Sequence, residues 1–474
     1  MKVCVLQPDY SATSVDYANY DPPRDLSSLL PLDEVDHVFL NKLTTYNQLK
    51  HLAKKKYDVY VNLCEGYLEW DVPSIEVIYF LELLNLPFTG PTSILYDPPK
   101  DLMKYVAYTQ NVLTPPYAII ENVSDIPVTC RHLNYPLFIK PLKAGDSLGI
   151  DENSMVTNEA DAIDKAASIV NDYSPLLVEE YIMGREFTVM VAADPDGHGK
   201  VIVYEPVEYI FPKGRTYKTY ALKTSELHPE CNVKVDDPHL RQRLEQASED
   251  VFNGFGGVGY ARLDFRMNGA NELFFLEINF TCSVFYTDGY EGSADYILKI
   301  GGAGQADFLK TIIAEGISRH SRTQKKYQMK GNAIAGFGIY ACKDLKAGEV
   351  VFQGEERSQR IATKSYIDNN WRKNEMETFK KYAYPLSSEL YLLWDQNPSE
   401  WAPQNHSCNP NTLYEGLNVV AVRNIRKDEE LTLDYATFLD HSMEPFECRC
   451  GETGCKGMIK GIFENSVTSR EREL

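Results

Sequence analysis

Four cysteines in the last fifth of the chain constrain its fold more than any other feature. Cys448, Cys450 and Cys455 stand in the run FECRCGETGC, and Cys408 precedes them in the run NHSCNPN. The spacing is too tight for three thiolates on one regular element, but it suits a knuckle around one zinc ion, which takes four sulfur ligands tetrahedrally. With Cys408 as fourth ligand, the knuckle would tie the tail to a distant loop, and the zinc would be structural.

Length and charge narrow the classes of protein. A chain of 474 residues with 43% hydrophobic residues predicts two to four domains. The formal charge of -20 argues against nucleic acid and anionic membranes as partners, and favours a basic peptide or a cationic amine. The start MKVCVLQPDY predicts a buried strand rather than a signal peptide, and no apolar run is long enough to span a bilayer. We expect a cytoplasmic protein, with the nucleus as the alternative, and reduced thiols outside the zinc set.

The apolar pattern divides the chain into regions. It alternates strand and helix up to about residue 95, which is typical of an α/β domain, and then predicts an α+β region with antiparallel strands. A basic stretch without apolar periodicity comes next as a linker or last helix, and short strands and turns dominate afterwards. The prediction is an α/β and α+β module followed by a mainly β domain with a zinc knuckle, divided at 1–98, 99–316, 317–330, 331–445 and 446–474.

The first module contains residues suited to nucleotide and magnesium. Lys140 ends the strand LFIKP and precedes a small-residue loop, 143–149, whose backbone amides suit terminal phosphates. Glu179, Glu180 and Glu186 are acceptors placed to meet adenine and ribose. The runs ARLDF and FLEINF predict two adjacent strands whose alternate residues share one face. That face would carry three oxygen ligands and one guanidinium, which form a magnesium-phosphate site: Arg262, Asp264, Glu277 and Asn279.

These segments, with NLCEG and FLELLNLPFTG, resemble the ATP-grasp superfamily, most closely its D-alanine:D-alanine ligase branch, over nearly all of 1–316. The resemblance implies an ATP-dependent carboxylate-amine ligase with an acyl phosphate intermediate. It implies ATP binding by Lys100, Lys140, Ser147, Glu179, Glu180, Glu186 and Lys218, catalysis by Arg262, and two Mg²⁺ ions on Asp264, Glu277 and Asn279. Lys104 is the alternative to Lys100.

Two short runs of this module bear on which amine it uses and on whether it binds a dinucleotide. The ligases usually carry a proline-glycine turn after the magnesium asparagine, whereas this chain has Phe280-Thr281-Cys282-Ser283, which leaves the amine substrate open. A G-x-G-x-x-G match at 254–259 lies between a predicted helix and a strand, the reverse of the dinucleotide-binding context, so we reject it.

The last third resembles SET-domain lysine methyltransferases with a cysteine-rich post-SET segment. The runs that carry the resemblance are GFGIYA, NHSCNPN, ELTLDY and the cysteine knuckle. It implies S-adenosylmethionine binding by Gly336, Gly338, Asn405 and His406, with Tyr435 as the hydroxyl that orients methyl transfer. Several relatives have an aromatic residue where this chain has Leu433, so we expect a wider pocket and multiple methylation.

Both motif sets together predict a bifunctional enzyme. It would form an amide from an amino acid and N-methylate a lysine-like amine on an amino acid or peptide, using ATP, Mg²⁺, S-adenosylmethionine and Zn²⁺. The rival hypothesis is a protein lysine methyltransferase, acting on a basic protein, whose ATP-grasp half senses nucleotide or docks substrate. A homodimer through the ATP-grasp half is a further expectation.

Overall fold

The computed structural model describes residues 1–461 apart from 12, 14–20, 67–70, 146–147, 198, 214, 218–228, 333–334, 355–358 and 395–403. Contacts divide the chain into two units, residues 1–323 and residues 324–474. Within the described ranges, no helix is both long enough and apolar enough to cross a membrane.

The first unit begins with a small parallel sheet in the order β2-β1-β3. Every residue of β1 after Lys2 is buried, as expected for a parallel strand covered on both faces. Val3 and Val5 pack with Phe308 and Ile312 in one apolar core. The elements of this part are β1 Lys2–Pro8, β2 Glu34–Leu40, α1 Thr45–Leu52, β3 Val59–Asn62 and α2 Ile75–Leu83.

An antiparallel sheet in the order β4-β7-β5-β6 comes next along the chain. Helix α5 packs on it and begins at Asn158, whose side chain accepts the backbone N–H of Asp161 as an N-cap. The elements are α3 Lys100–Thr109, β4 Tyr117–Ile120, α4 Ile126–Thr129, β5 Leu137–Pro141, β6 Met155–Val156, α5 Glu159–Tyr173 and β7 Leu176–Glu180.

The third sheet runs β11-β10-β8-β12-β13, with β9 paired to β8, and all its pairings are antiparallel. Phenylalanines from β8, β12 and β13 fill the core beneath it. The elements are β8 Arg185–Ala193, β9 Val201–Val203, β10 Val207–Tyr209, β11 Asn232–Lys234, α6 Pro238–Gly254, β12 Tyr260–Met267, β13 Leu273–Asn279, α7 Ser293–Gly301 and α8 Gly304–Thr323.

Residues 317–330, predicted as a linker or last helix, hold the end of α8 and the start of the next strand. The helix continues because Ile317 packs on the core and Arg319 donates to the carbonyls of Phe88 and Gly90. The rejected glycine run spans the end of α6 and the turn into β12. There Gly259 has φ +70°, and a Cβ would lie 2.3 Å from the Gly90 carbonyl oxygen.

The second unit is built from short strands around an aromatic core that includes Tyr327, Phe352 and Trp394. Its sheets run β14-β15, β16-β22-β21, β17-β19-β18, β20-β23 and β24-β25. The elements are β14 Tyr327–Asn332, β15 Gly336–Ala341, β16 Val350–Phe352, β17 Gln359–Thr363, α9 Lys364–Asn370, α10 Lys373–Tyr382, β18 Tyr384–Pro385, β19 Leu390–Trp394, β20 Asn405–His406, β21 Thr412–Glu415, β22 Asn418–Ala421, β23 Thr432–Leu433, β24 Phe446–Glu447 and β25 Met458–Ile459.

Candidate active sites

Two lysines of the first unit share one buried carboxylate. Phe138 of β5 lies opposite Glu179 of β7, which places Lys140, two residues further along β5, on the same face as Glu179. Lys140 Nζ lies 2.5 Å from Glu179 Oε1, and Lys104 Nζ from α3 lies 2.6 Å from Oε2. Burial alone would raise the pKa of Glu179, but attraction and hydrogen bonds from both lysines hold it at about 2. Glu179 is therefore ionised and holds two cationic side chains in position.

Lys100 occupies a separate position on the same helix. Its Nζ donates to the carbonyl of Ala144 at 2.7 Å and lies 4.0 Å from Glu277 Oε2. Burial lowers the pKa of Lys100. Lys100 thus reaches the loop after β5 and the predicted magnesium carboxylates, whereas Lys104 reaches Glu179.

The predicted magnesium residues lie opposite one another on β12 and β13. In the register, Arg262 faces Asn279 and Asp264 faces Glu277, so the four side chains share one face of the sheet. Arg262 Nη2 lies 3.1 Å from Asp264 Oδ2. Asn279 Nδ2 is buried without a hydrogen-bond partner among the described residues. A β-bulge after Asp264 breaks the register beside this group.

This donor set fits Mg²⁺, which prefers carboxylate and amide oxygens near substrate phosphates. Asp264, Glu277 and Asn279 supply those oxygens on one face. Arg262 keeps its charge, because the nearby carboxylate of Asp264 outweighs burial and raises its pKa.

The other predicted nucleotide-binding residues that the structure describes do not pair with the lysines around Glu179. Glu186 Oε2 lies 3.8 Å from Arg266 Nη1. Glu180 points to the opposite face from Glu179, because neighbouring strand residues alternate, and it accepts the backbone and side-chain N–H groups of Asn134 at 2.9 Å. The structure therefore does not bring Glu180 to the lysine cluster. Ser147 and Lys218 lie outside the described residues.

A buried charge cluster that the sequence reasoning missed centres on Arg24. Its guanidinium lies 3.3 Å from Asp21 Oδ1 and 3.3 Å from Glu65 Oε1, and 4.8 Å from the Tyr286 ring centroid. It also donates to the carbonyl of Val284, just after the Phe280–Ser283 segment. Burial raises the pKa of Glu65 to about 7 despite Arg24. Glu65 belongs to the run NLCEG, which the sequence analysis used. Arg24 is a single arginine in a polar stretch and matches no motif, so the sequence did not predict its role.

A glycine, an asparagine and a glutamate from distant parts of the sequence meet in the second unit. A Cβ on Gly338 would lie 2.4 Å from Glu430 Oε1 and 3.2 Å from Asn405 Nδ2, so any larger residue would displace the Glu430 carboxylate. Asn405 Nδ2 donates to the Phe337 carbonyl at 2.9 Å and to Glu430 Oε1 at 2.7 Å. Gly336 has φ +83°, which favours glycine.

His406 and Tyr435 lie together through the parallel pairing of β20 with β23. The backbone N–H of Tyr435 donates to His406 Nδ1 at 3.2 Å, and the Tyr435 hydroxyl donates to the Gln404 carbonyl at 2.5 Å. Burial lowers the pKa of His406. The His406 side chain is therefore hydrogen-bonded within the protein.

Tyr435 borders a cavity in the second unit. Phe438 and Trp394 each contact Tyr414, whose ring lies parallel to that of Trp394. Leu433 also lines this cavity. An aromatic wall of this kind suits a methylated ammonium group, because ring faces attract cations. The lining residues are Tyr327, Ile339, Val351, Phe352, Lys381, Tyr382, Trp394, Gln404, Tyr414, Val419, Leu431, Leu433, Tyr435, Phe438 and Leu439.

The four predicted cysteine ligands come together. The sulfur atoms of Cys408, Cys448, Cys450 and Cys455 all lie within 4.8 Å of one another. Tetrahedral zinc-thiolate bonds of about 2.3 Å require sulfur atoms about 3.8 Å apart. The Cys408 and Cys448 sulfurs are 3.8 Å apart, so the cluster has the size and chemistry of a four-thiolate metal site.

Comparison with known proteins matches part of each unit to a family model. Residues 114–285 match the family described as D-ala D-ala ligase C-terminus, and residues 336–436 match the SET domain. The D-alanine–D-alanine ligase of Enterococcus hirae is 28% identical over 260 residues, which cover 52% of this chain and 68% of that protein. The ligase of Aquifex aeolicus is 26% identical over 201 residues, covering 42% of this chain and 64% of that protein.

The chain therefore spans about two thirds of the length of these relatives. The structure of D-alanine–D-alanine ligase from Bacillus anthracis complexed with ATP superimposes with a TM-score of 0.50 at 18% identity, over 68% of this chain and 99% of that one. At this level of identity, the superposition shows that the two chains share a fold. The fold class and both resemblances predicted from the sequence are confirmed: the chain joins an ATP-grasp domain of the D-alanine–D-alanine ligase type to a SET domain.

Proposed function

We propose that this protein is a bifunctional enzyme, an ATP-dependent carboxylate-amine ligase and an S-adenosylmethionine-dependent methyltransferase of a lysine-like amine. One observation carries the proposal: each unit gathers a set of side chains suited to its own chemistry. In the first unit, Arg262, Asp264 and Asn279 share a face of one sheet. In the second, Tyr435 borders an aromatic cavity.

In the ligase site, fixed positive charge would hold the phosphates of ATP. Lys140 keeps its proton because the charge of Glu179 outweighs burial and raises the lysine pKa. Lys100, beside the Ala144 carbonyl, would contact the phosphates from the other side. Mg²⁺, when held by Asp264, Glu277 and Asn279, would neutralise charge on the transferred phosphoryl group. Arg262 would stabilise the charge that develops on the carboxylate substrate.

The Arg24 cluster is suited to an amino acid. Asp21 and Glu65 are both paired with Arg24 and are 15% and 12% exposed, so they are reachable. Once Glu65 loses its proton, near pH 7, the two carboxylates outnumber one guanidinium, which favours the ammonium group of a substrate. Ser283 hydrogen-bonds to Glu65, which joins this cluster to the segment after Asn279.

In the SET domain, the cavity would align the amine for in-line attack on the methyl group. The reaction needs a neutral amine, and a desolvated aromatic pocket favours the neutral form. Tyr435, whose hydroxyl is held by the Gln404 carbonyl, would orient the transfer. Gly338 and Asn405 would hold the methyl donor, and the four cysteines would hold a structural zinc ion.

The substrates proposed are an amino acid or short peptide that carries a lysine-like amine. Because ATP and S-adenosylmethionine are both metabolites of the cell interior, we place the enzyme in the cytoplasm. The order of ligation and methylation is left to experiment.

Incubation of the full chain with Mg²⁺-ATP, S-adenosylmethionine and a pool of amino acids tests the proposal. We expect ADP release that depends on amino acids, together with new masses equal to a dipeptide plus multiples of a methyl group. Methylated protein without any ADP release would contradict the ligase proposal and support the rival, in which the first unit only senses or docks.

A further inference from the structure

One lysine is the only charged residue among the described side chains that line the cavity of the second unit. Lys381 shares that lining with aromatic and aliphatic side chains and with one amide, Gln404. No carboxylate belongs to the described walls. A cation without an opposite charge in the same cavity gives these walls a net positive charge, which attracts an anionic group of a ligand.

Lys381 lies where the cavity opens to solvent. Lys381 and Tyr382 form the exposed C-terminal end of α10, whereas other lining residues such as Leu431 and Leu433 are buried. Neither the ammonium of Lys381 nor the hydroxyl of Tyr382 forms a hydrogen bond or an ion pair with another described residue. Two adjacent donors at the cavity mouth are therefore available to a ligand.

The helix alone accounts for a lysine in this turn, but not for a lysine in the cavity. The helix macrodipole favours cations near a C-terminus, and Lys380 and Lys381 both lie in the last turn of α10. Lys380 is exposed and does not line the cavity. The two neighbours thus share the effect of the dipole, and Lys381 differs from Lys380 in its position beside the cavity.

The charge of the cavity mouth discriminates between two kinds of amine. A basic protein segment carries further cations beside its target lysine, and Lys381 would repel them. A free amino acid or a short peptide instead carries a carboxylate a few bonds from its amine. An ammonium group and a carboxylate form a charge-assisted hydrogen bond, which is stronger than a hydrogen bond between neutral groups.

We propose that Lys381 determines specificity by binding a carboxylate of the methyl acceptor, with the Tyr382 hydroxyl as a second donor. The acceptor is then a free amino acid or a short peptide rather than an internal lysine of a basic protein. The inference rests on the proposed methyltransferase function and selects one of its substrate classes. The aromatic side chains, among them Trp394 and Tyr414, would contact the amine end of the same molecule.

The test compares two acceptors that differ by one charge. Nα-acetyllysine has a free carboxylate and a primary amine, and its methylamide has the same amine without the carboxylate. The full-length protein is given S-adenosylmethionine and either acceptor, and release of S-adenosylhomocysteine yields kcat and KM. We expect kcat/KM to be about 10-fold higher for the acceptor with the carboxylate. The difference should lie in KM, because this contact is the same before and during methyl transfer.

Three variants assign the preference to one side chain. Lys381→Met removes the charge and should bring the KM values of the two acceptors together. Lys381→Glu should reverse the preference, because a carboxylate at the cavity mouth repels the anionic acceptor. Lys380→Met removes the same charge from the same helical turn outside the cavity, so this matched control should keep the wild-type preference.

The outcomes separate this inference from the proposed function. Equal kcat/KM for the two acceptors in the wild type, or a preference that persists in Lys381→Met, overturns the role of Lys381 and leaves methyl transfer intact. Transfer to a lysine-rich peptide alone overturns the inference and supports the rival protein methyltransferase. Absence of transfer to both acceptors and to the peptide overturns the methyltransferase proposal and this inference with it.

Discussion

The two units organise their sites by different physical means. The first unit carries a net charge of -18 and the second -2, with 22 of the 68 acidic residues in the second. In the first, long strands and buried ion pairs such as Lys140–Glu179 fix the site. In the second, strands of two residues carry Asn405 and the cysteine tail. Charge within the fold thus prearranges one site, whereas the proposal for the other is that a metal ion held by the four thiolates cross-links it.

The division of charge also refines the expected partners. The overall acidity favours a basic peptide or cationic amine, but nearly all of it lies in residues 1–323. Electrostatic attraction therefore supports a cationic substrate at the ligase unit more than at the SET cavity, whose walls are mainly aromatic and aliphatic.

Metal removal should separate the units most clearly. Structural zinc sites contribute on the order of 10 kcal/mol to folding, so a chelator should abolish or strongly lower the calorimetric unfolding transition of residues 324–474. The transition of residues 1–323 should keep its midpoint, since the described residues hold no comparable cysteine cluster there. Unchanged unfolding of the second unit in the chelator would contradict this contrast between the units.

The ligase unit should instead respond to loss of its metal carboxylate. Asp264→Asn keeps the shape but removes one charge facing Glu277, which should slow ADP release about 10³-fold, since metal stabilisation amounts to several kcal/mol. Methyl transfer should stay at the wild-type rate. Comparable ADP release from the variant would show that this face does not bind the nucleotide metal.

The buried lysines test whether ion pairs stabilise the first unit. Lys104→Met leaves Glu179 with one partner in a buried setting, and should lower the free energy of unfolding by about 3 kcal/mol. Urea unfolding measures the loss. The control Lys310→Met removes a lysine that is 60% exposed and should change stability by less than about 0.5 kcal/mol. Equal effects of the two variants would refute the role of the buried pair.

Two buried glutamates of the first unit should respond to pH in opposite directions. The depressed pKa of Glu179, about 2, gives stability that is present above its ordinary pKa and is lost as pH falls toward 2. The raised pKa of Glu65, about 7, means that the folded protein binds the extra proton, so stability falls as pH rises from about 4.5 to 7. Glu65→Gln should remove that decline, about 3 kcal/mol, in unfolding curves measured at several pH values. A decline that persists in Glu65→Gln would assign it to another group.

The smallest expected effect is a change in the number of methyl groups added in the SET cavity. Leu433 is 4% exposed and lines the cavity. Leu433→Phe would therefore fill part of the space that a methylated amine needs. We expect products shifted toward fewer methyl groups by mass spectrometry, with a stability cost of about 1 kcal/mol from overpacking. Leu413→Phe, at a position 43% exposed, is the control. An unchanged product distribution would show that this wall does not limit methylation.

The sequence predicted what local patterns encode. ARLDF and FLEINF alternate as strands do, so the grouping of Arg262, Asp264, Glu277 and Asn279 on one face could be predicted, and the structure shows that grouping. The cysteine set also comes together as predicted. These predictions needed only strand periodicity and ligand spacing.

Pairings between distant segments could not be predicted in the same way. Lys104 and Glu179 are 75 positions apart, and their ion pair depends on how α3 is placed in the folded first unit. Arg24 meets Glu65 and Val284 only after three segments fold together. The orientation of Glu180 depends on which strand residue faces the core, and the contact of His406 with Cys408 depends on the β20–β23 pairing.

The central claim is that one chain carries two separate catalytic sites. Product masses from full-length wild type, Asp264→Ala and Tyr435→Phe, each given Mg²⁺-ATP, S-adenosylmethionine and amino acids, test it most directly. We predict that Asp264→Ala loses the ligated product and keeps methyl transfer to the free amine, while Tyr435→Phe forms the ligated product without methyl groups. Loss of both activities in either variant, or ligation that survives Asp264→Ala, would contradict the account.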